Sequence, residues 1–239
     1  MGNTTVLWEQ EQCAAWEAAL AAYPAAVEAR GGPKLLALDR WVHDELPGEV
    51  RAREPRHLTY DELLRVVRWK MGRGVWRANN LQLAAGNAPD AVQAYTAQAL
   101  ALVGAVPVPM VPQAGARAGD AAASDGAPAV STGGASASGT TMAAALLAPV
   151  RTLAKLRGIG PATVSAVLAA VYPERYPFLE DVVAAQVPEL GPPAFTPRYY
   201  AAYAAMLRAR AAELAARCPD SGWTPHAVDL ALWTTQQES

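Results

Sequence analysis

The residues best suited to a chemical task lie in one short turn, Leu156-Arg157-Gly158-Ile159-Gly160-Pro161-Ala162-Thr163. Gly158 stands where a helix commonly ends with a residue of positive φ, and Gly160 leaves the backbone without a Cβ. Pro161 suits the first position of a following helix, because an N–H there has no partner inside the helix. Such a helix start presents unpaired N–H groups at the positive end of the helix dipole. The turn is therefore predicted to bind phosphate through Gly158, Ile159, Gly160, Ala162 and Thr163.

Helices are predicted on both sides of this turn, so that residues 146–172 form a helical hairpin. The apolar stripes are Leu146, Val150 and Leu153 before the turn, and Val164, Val167, Leu168 and Val171 after it. Pro149 is expected at the start of the first helix. An ordinary αα-hairpin with a glycine cap is the alternative interpretation. The agreement of the turn, the proline and Thr163 favours phosphate binding.

The turn and the segment that follows it resemble the helix-hairpin-helix DNA glycosylase superfamily. The shared pattern is L-x-G-I-G-x-x-T, then a small apolar helix, then Pro177-Phe178-Leu179-Glu180-Asp181. The resemblance implies an all-helical fold, binding of the duplex backbone and a carboxylate that assists the departure of a damaged base. Counted from the second glycine of the turn, that acid is Glu180, with Asp181 one residue later.

A divergent eukaryotic branch of this superfamily is similar to the chain over three segments. These are R-W-K-x-x-R-G at Arg68–Gly74, P-F-x-x-D at Pro177–Asp181 and A-L-W at Ala231–Trp233. In that branch Asp181 is the matching acid. The lysine nucleophile of bifunctional members is replaced by Ala162, which forms no Schiff base, so lyase chemistry is not implied. The glycine-rich segment that often follows the acid is missing, as is an iron–sulfur cysteine cluster.

A carboxylate near a breaking N-glycosidic bond stabilises positive charge on the sugar or orients a water molecule. Glu180 and Asp181 are the candidate catalytic residues on this basis. The other interpretation is structural, because an acid at a helix start is stabilised by the helix dipole by about 0.3–1 kcal/mol. Both interpretations fit both residues.

A basic segment is the second feature predicted to contact phosphate. Residues 51–77 hold 8 Lys and Arg against 3 Asp and Glu, although the net charge of the whole chain is only −2. A capping box at Thr59-Tyr60-Asp61-Glu62 predicts a helix to about Gly72. The candidate contacts on this helix are Arg65, Arg68, Lys70 and Arg73. The alternatives are a solvated helix face and, for Lys70, a nucleophilic role.

The rest of the pattern predicts one all-α domain over residues 1–239, a multi-helix bundle, with a disordered low-complexity insertion at 113–141. That insertion is rich in Ala, Gly, Ser and Thr and has too few large apolar side chains to offset its ordering entropy. Further helices are predicted at 8–30, broken near Pro24, at 34–45 after a Gly31-Gly32-Pro33 turn, and at 75–85, 89–103 and 197–217. A last helix is predicted from Thr224.

Several function classes are not expected. His43, His57 and His226 are scattered and predict no metal site, and no cofactor motif is present. Cys13 and Cys218 lie far apart in the sequence and are predicted to be reduced thiols in an intracellular protein of the nucleus or cytoplasm. No membrane span is expected.

The leading hypothesis is thus a DNA-binding protein of glycosylase-like fold, extended to excision of damaged bases. The alternative is an interaction protein that keeps the helical fold without glycosylase activity and uses tryptophan side chains on its surface. Small-molecule catalysis in a helical pocket has no motif behind it.

Overall fold

The computed structural model describes residues 6–76, 78–104 and 135–237, and their regular secondary structure is entirely helical. The helices are α1 (Cys13–Arg40), α2 (Leu46–Arg51), α3 (Tyr60–Arg73), α4 (Ala78–Ala85), α5 (Pro89–Gly104), α6 (Ala135–Leu153), α7 (Pro161–Val171), α8 (Asp181–Ala184), α9 (Pro197–Arg217) and α10 (Pro225–Thr235). A π-helical turn, Trp41–Glu45, joins α1 to α2. The predicted all-α class is confirmed. In the part of the chain described, none of the helices combines the length and apolar character that crossing a membrane requires.

Helix α1 is interrupted at Gly32 and continues through Pro24. Only Gly32 departs from helical dihedral angles, with φ of 68°. The predicted turn at 31–33 is confirmed, whereas the predicted break near Pro24 is wrong. Tyr23 and Val27 are buried on either side of Pro24. Burial of each such side chain contributes about 1.5–3 kcal/mol, which offsets the hydrogen bond that the proline removes.

Helix α3 begins at the predicted capping box. The Thr59 hydroxyl accepts a hydrogen bond from the Glu62 N–H at 3.3 Å, and Glu62 Oε2 accepts one from the Thr59 N–H at 2.8 Å. Arg53 also binds Glu62, with Nη1 at 2.7 Å from Oε2. One cation of the basic segment is therefore neutralised beside the helix that carries Arg65, Arg68, Lys70 and Arg73.

Helix α7 lies at the centre of the core, with every residue from Thr163 to Val171 buried. A helix that is apolar on all sides needs neighbours on all sides. It packs against α3, α2 and α6, while α1 packs along α10 and α5 along α6. The predicted apolar stripes of α6 and α7 are buried as expected.

Helix α6 is longer than the sequence predicts. It begins at Ala135, inside the stretch 113–141 that was predicted to be disordered, and residues 113–134 of that stretch lie outside the described residues. Pro149 lies inside the helix, so the prediction that it starts the helix is wrong. The alanines around it have the highest helix propensity, and Val150 and Leu153 are fully buried. These contributions outweigh the single hydrogen bond that Pro149 cannot donate.

Cys13 and Cys218 form a disulfide bond between the start of α1 and the end of α9. The prediction of reduced thiols is wrong. The two cysteines are separated by 205 positions in the sequence, and only the folded arrangement of α1 and α9 brings them together.

Candidate functional site

The turn between α6 and α7 has the backbone geometry that its glycines predict. Gly158 has φ of +74°, a conformation that side chains with a Cβ rarely adopt. The Ile159 N–H donates to the Leu156 carbonyl at 3.3 Å and closes the turn. Ile159 is only 3% exposed, so its side chain belongs to the core.

One side of this turn is held by α4 and the residues just after it. A Cβ on Gly158 would lie 2.7 Å from Leu83 Cβ and 2.8 Å from the Ala84 nitrogen. Asn87 accepts from the Arg157 N–H at 2.8 Å and donates to the Arg157 carbonyl at 2.9 Å. Asn87 was not among the residues predicted from the sequence. The one sequence feature that could have indicated it is its position directly after Gly86, where α4 ends.

The other side of the turn is open. Gly160 is the N-cap of α7, no side chain caps this helix, and no atom lies within 4 Å of the position that a Gly160 Cβ would take. Ala162 is half-buried, and the Thr163 side chain is buried. A ligand at this end of α7 would therefore meet backbone N–H groups more than side chains.

Three cations of α6 and the turn are exposed: Arg151, Lys155 and Arg157. None of them belongs to an ion pair among the residues that the structure describes. These three residues were not among the predicted phosphate contacts, because the strongest local excess of positive charge in the sequence lies at 51–77. Their position next to the glycine turn was the available signal.

The basic side chains predicted on α3 are not equivalent. Arg68 is exposed, Lys70 is half-buried, and the Arg65 guanidinium lies 3.5 Å from the centre of the Trp41 ring. Arg73 contradicts the prediction of a phosphate contact. Its side chain is 0% exposed, and Nη2 donates to Glu180 Oε2 at 2.7 Å, so no phosphate reaches it in this fold.

Arg73 is enclosed by aromatic rings. Its guanidinium carbon lies 4.7–5.3 Å from the centres of four rings, those of Tyr23, Trp69, Phe178 and Trp233. All three segments that resemble the superfamily branch contribute residues to this cluster. Trp69, Arg73, Phe178, Glu180 and Trp233 are packed together in the core, where Arg73 and Glu180 form a buried ion pair, whereas Arg68 and Asp181 of the same segments are exposed.

The two candidate acids face different surroundings. Burial raises the pKa of Glu180 to about 7, against the opposing charge of Arg73, while Asp181 and Lys70 act on it more weakly. Asp181 is exposed at the first position of α8, and its Oδ1 accepts from the Val182 N–H at 3.0 Å. Of the pair, only Asp181 is accessible to a ligand from solvent.

Comparisons of this chain with protein-family models, with curated proteins and with solved structures found no match. Function is therefore inferred from the chain's own residues. Two shallow surface grooves, one between α1 and α10 and one between the start of α3 and the start of α5, contain neither Glu180 nor Asp181. Within the described residues, no group of three or more His, Cys, Asp or Glu side chains has an arrangement that would hold a metal ion.

A chain of four polar side chains crosses the core beside the Arg73 cluster. His43 Nδ1 lies 3.3 Å from Asp39 Oδ2, His43 Nε2 lies 3.0 Å from His226 Nε2, and His226 Nδ1 lies 2.7 Å from Asp229 Oδ2. The π-helical turn carries His43, and π-helical turns occur frequently at functional sites. The contact between His43 and His226 was not predicted, because 183 positions separate the two residues in the sequence.

The two ends of this chain have opposite surroundings. Asp39 Oδ1 accepts from the Tyr23 hydroxyl at 2.5 Å and from Trp69 Nε1 at 2.7 Å. Although burial acts to raise it, the hydrogen bonds from His43, Tyr23 and Trp69 lower the pKa of Asp39 to about 2. Burial raises the pKa of Asp229 well above its ordinary value.

Burial disfavours the charged form of both histidines between these ends. Burial lowers the pKa of both, that of His226 to about 3. The chain therefore has one ionised end, at Asp39, and an end at Asp229 where the charged form is disfavoured.

Proposed function

We propose that this protein binds the phosphate backbone of duplex DNA through the turn between α6 and α7, on a fold of the helix-hairpin-helix DNA glycosylase type. The observation that carries this proposal is the open side of the turn, where α7 starts at Gly160 without a side-chain cap. Burial of the opposite side of the turn against α4 supports it, since a fixed backbone loses little conformational entropy on binding.

The local chemistry suits a polyanion. The first N–H groups of α7 have no acceptor within the helix and carry the positive end of its dipole. Arg151, Lys155 and Arg157 add exposed positive charge on α6 and in the residues just before the turn. With a net charge of −2, the chain as a whole does not attract DNA, so binding depends on this local surface.

The test is a duplex-binding titration at low salt, followed by fluorescence anisotropy. Gly160→Glu places a negative charge in open space at the turn, and we expect it to weaken binding more than tenfold without unfolding the protein. Gly48→Glu is the matched control, because Gly48 is also exposed with no atom near its Cβ position. Equal binding by the two variants would remove the turn from the proposal.

We propose base removal as a second activity of the same surface, with Asp181 as its acid. The observation that favours it is the exposure of Asp181, in contrast to the buried Glu180. In this hydrolysis the C1′–N bond breaks, the oxygen of a water molecule bonds to C1′, and the base leaves with a proton. The Asp181 carboxylate stabilises the positive charge on the sugar.

This activity is measured by incubating the protein with duplexes that carry single modified bases and counting abasic sites. We expect Asp181→Asn to abolish the product. Glu180→Gln leaves the buried Arg73 without a charged partner, so its product is counted per folded molecule, and we expect it to be retained. Equal product from Asp181→Asn and the native protein contradicts the assignment of the acid. Duplex binding without product identifies a non-enzymatic DNA-binding protein, and no binding at low salt favours the protein-interaction alternative.

A further inference from the structure

The side chains of Asp39, His43, His226 and Asp229 make three contacts in a row. At each contact both atoms are hydrogen-bond acceptors unless one of them carries a proton. Each contact therefore needs one proton. Two neutral imidazoles supply one proton each, because each neutral ring carries a single N–H. Three contacts thus need one proton more than two neutral histidines and two carboxylates hold.

The surroundings of the two carboxyl groups decide where the additional proton lies. Asp39 already accepts from Tyr23 and Trp69, which favours its ionised form. Asp229 Oδ1 is buried without a hydrogen-bond partner, a costly position for an oxygen of a carboxylate and a tolerable one in a neutral carboxylic acid. Asp229 is thus the protonated end.

We infer that these four residues form a directional proton relay that holds one additional proton in the folded state and locks α10 to α1. Asp229 donates to His226 Nδ1, His226 Nε2 donates to His43 Nε2, and His43 Nδ1 donates to Asp39. This inference is independent of the proposed DNA binding. It concerns the part of the core that also anchors the loop before α8, since Asp229 Oδ2 accepts from the Phe178 N–H at 2.7 Å.

Other charged groups face the relay from each neighbouring element. Tyr23 on α1 donates to Asp39, Arg73 on α3 favours the ionised forms of both aspartates, and Glu180 before α8 partly neutralises Arg73. Arg73 therefore opposes protonation of Asp229. Burial is the larger effect on this carboxyl group, and its direction is to keep the proton.

The relay makes folding depend on pH with a defined sign. The pKa of Asp229 is raised above the value of about 3.9 expected in the unfolded chain. The stabilisation that protonated Asp229 gives to the folded state is fully present below the pKa of Asp229 in the unfolded chain. It is lost as pH rises through the pKa of Asp229 in the folded protein. The histidines act in the opposite direction only up to their unfolded pKa of about 6.5, since burial lowers theirs. Above about pH 7, where the histidines of the unfolded chain are already neutral, the folding constant should therefore fall as pH rises towards the folded pKa of Asp229.

The test compares the two ends of the relay by urea unfolding between pH 6 and pH 9. In Asp229→Asn the amide is a permanent donor to His226 but cannot also accept from the Phe178 N–H, which shares Oδ2, so we expect a lower folding constant that no longer falls as pH rises above 7. In Asp39→Asn the amide oxygen still accepts from Tyr23 and Trp69, but the amide nitrogen replaces the oxygen that accepts from His43 Nδ1. Two donors then face each other, and we expect a folding constant reduced more than tenfold at every pH. The relay is contradicted if Asp229→Asn keeps the pH dependence of the native protein. It is also contradicted if Asp39→Asn keeps the folding constant of the native protein.

A second measurement on the native protein does not depend on either variant folding. Nitrogen-15 spectra of the histidine side chains distinguish the two neutral tautomers. At pH 7 we expect a proton on Nδ1 of His43 and on Nε2 of His226. A proton on Nδ1 of both rings, or the reverse pair of tautomers, overturns the direction that we infer.

Discussion

Arg73 Nη2 lies 2.7 Å from Glu180 Oε2 in the core. The Arg73 side chain is 0% exposed and that of Glu180 is 6% exposed. From the sequence, both belong to a functional surface, one as a phosphate contact and the other as a catalytic acid. Their pairing gives each a different role, because an ion pair enclosed by aromatic rings fixes the packing of α3 against the loop before α8. Arg73 Nε and Nη1 have no other hydrogen-bond partner, which makes the single bond to Glu180 important.

Replacement of Arg73 by Met should lower the free energy of unfolding by about 3–5 kcal/mol, because it leaves the Glu180 carboxylate buried and unpaired. The pKa of Glu180 is already raised to about 7 with Arg73 present, and loss of the arginine raises it further. Stability that depends on protonated Glu180 is present at low pH and is lost as pH rises. The loss in free energy of unfolding caused by Arg73→Met, measured by urea unfolding against the native protein, should therefore be larger at pH 8 than at pH 5.

The double variant Arg73→Met with Glu180→Gln is the matched control for this prediction. It removes the buried charge as well as its partner, so most of the lost stability should return and the pH dependence of the deficit should disappear. A deficit that is the same at pH 5 and pH 8 in the single variant would show that lost packing, rather than an unpaired charge, is the cause.

The helical class and most helix positions were predictable because they depend on local signals. The capping box at Thr59 and the positive φ of Gly158 are set by residues within four positions of each other. The disulfide of Cys13 with Cys218 and the contact of His43 with His226 are not local. Each joins residues separated by more than 180 positions, and no periodicity in the sequence reports such pairs.

The two sides of the hairpin turn should respond differently to a methyl group. Gly158→Ala forces a Cβ into a left-handed conformation, at a cost of about 1–2 kcal/mol, and against Leu83 and Ala84 at less than 3 Å. We expect a loss of more than about 2 kcal/mol in the free energy of unfolding. In Gly160→Ala the new methyl group lies in open space at an ordinary φ of −86°. This variant should change the free energy of unfolding by less than about 0.5 kcal/mol. Urea unfolding of the two variants checks this, and equal losses would contradict it.

Asn87 should stabilise the turn by holding both polar groups of the Arg157 backbone. Asn87→Ala removes these two hydrogen bonds and should cost about 1–3 kcal/mol in the free energy of unfolding. Asn79→Ala is the control, because Asn79 is an exposed residue on α4. Thermal unfolding of both variants measures the difference. Similar melting temperatures would mean that α4, without Asn87, is sufficient to hold the turn.

Lys155 and Arg157 should each contribute one phosphate contact if the turn binds DNA as proposed. Each phosphate contact releases condensed counterions, so removal of one should reduce the slope of log Kobs against log salt by about 0.9. Lys155→Gln and Arg157→Gln are compared with Arg198→Gln, an exposed arginine at the start of α9. Binding titrations at several salt concentrations give the slopes. An unchanged slope in both hairpin variants, with duplex binding retained, would place the DNA on another face of the protein.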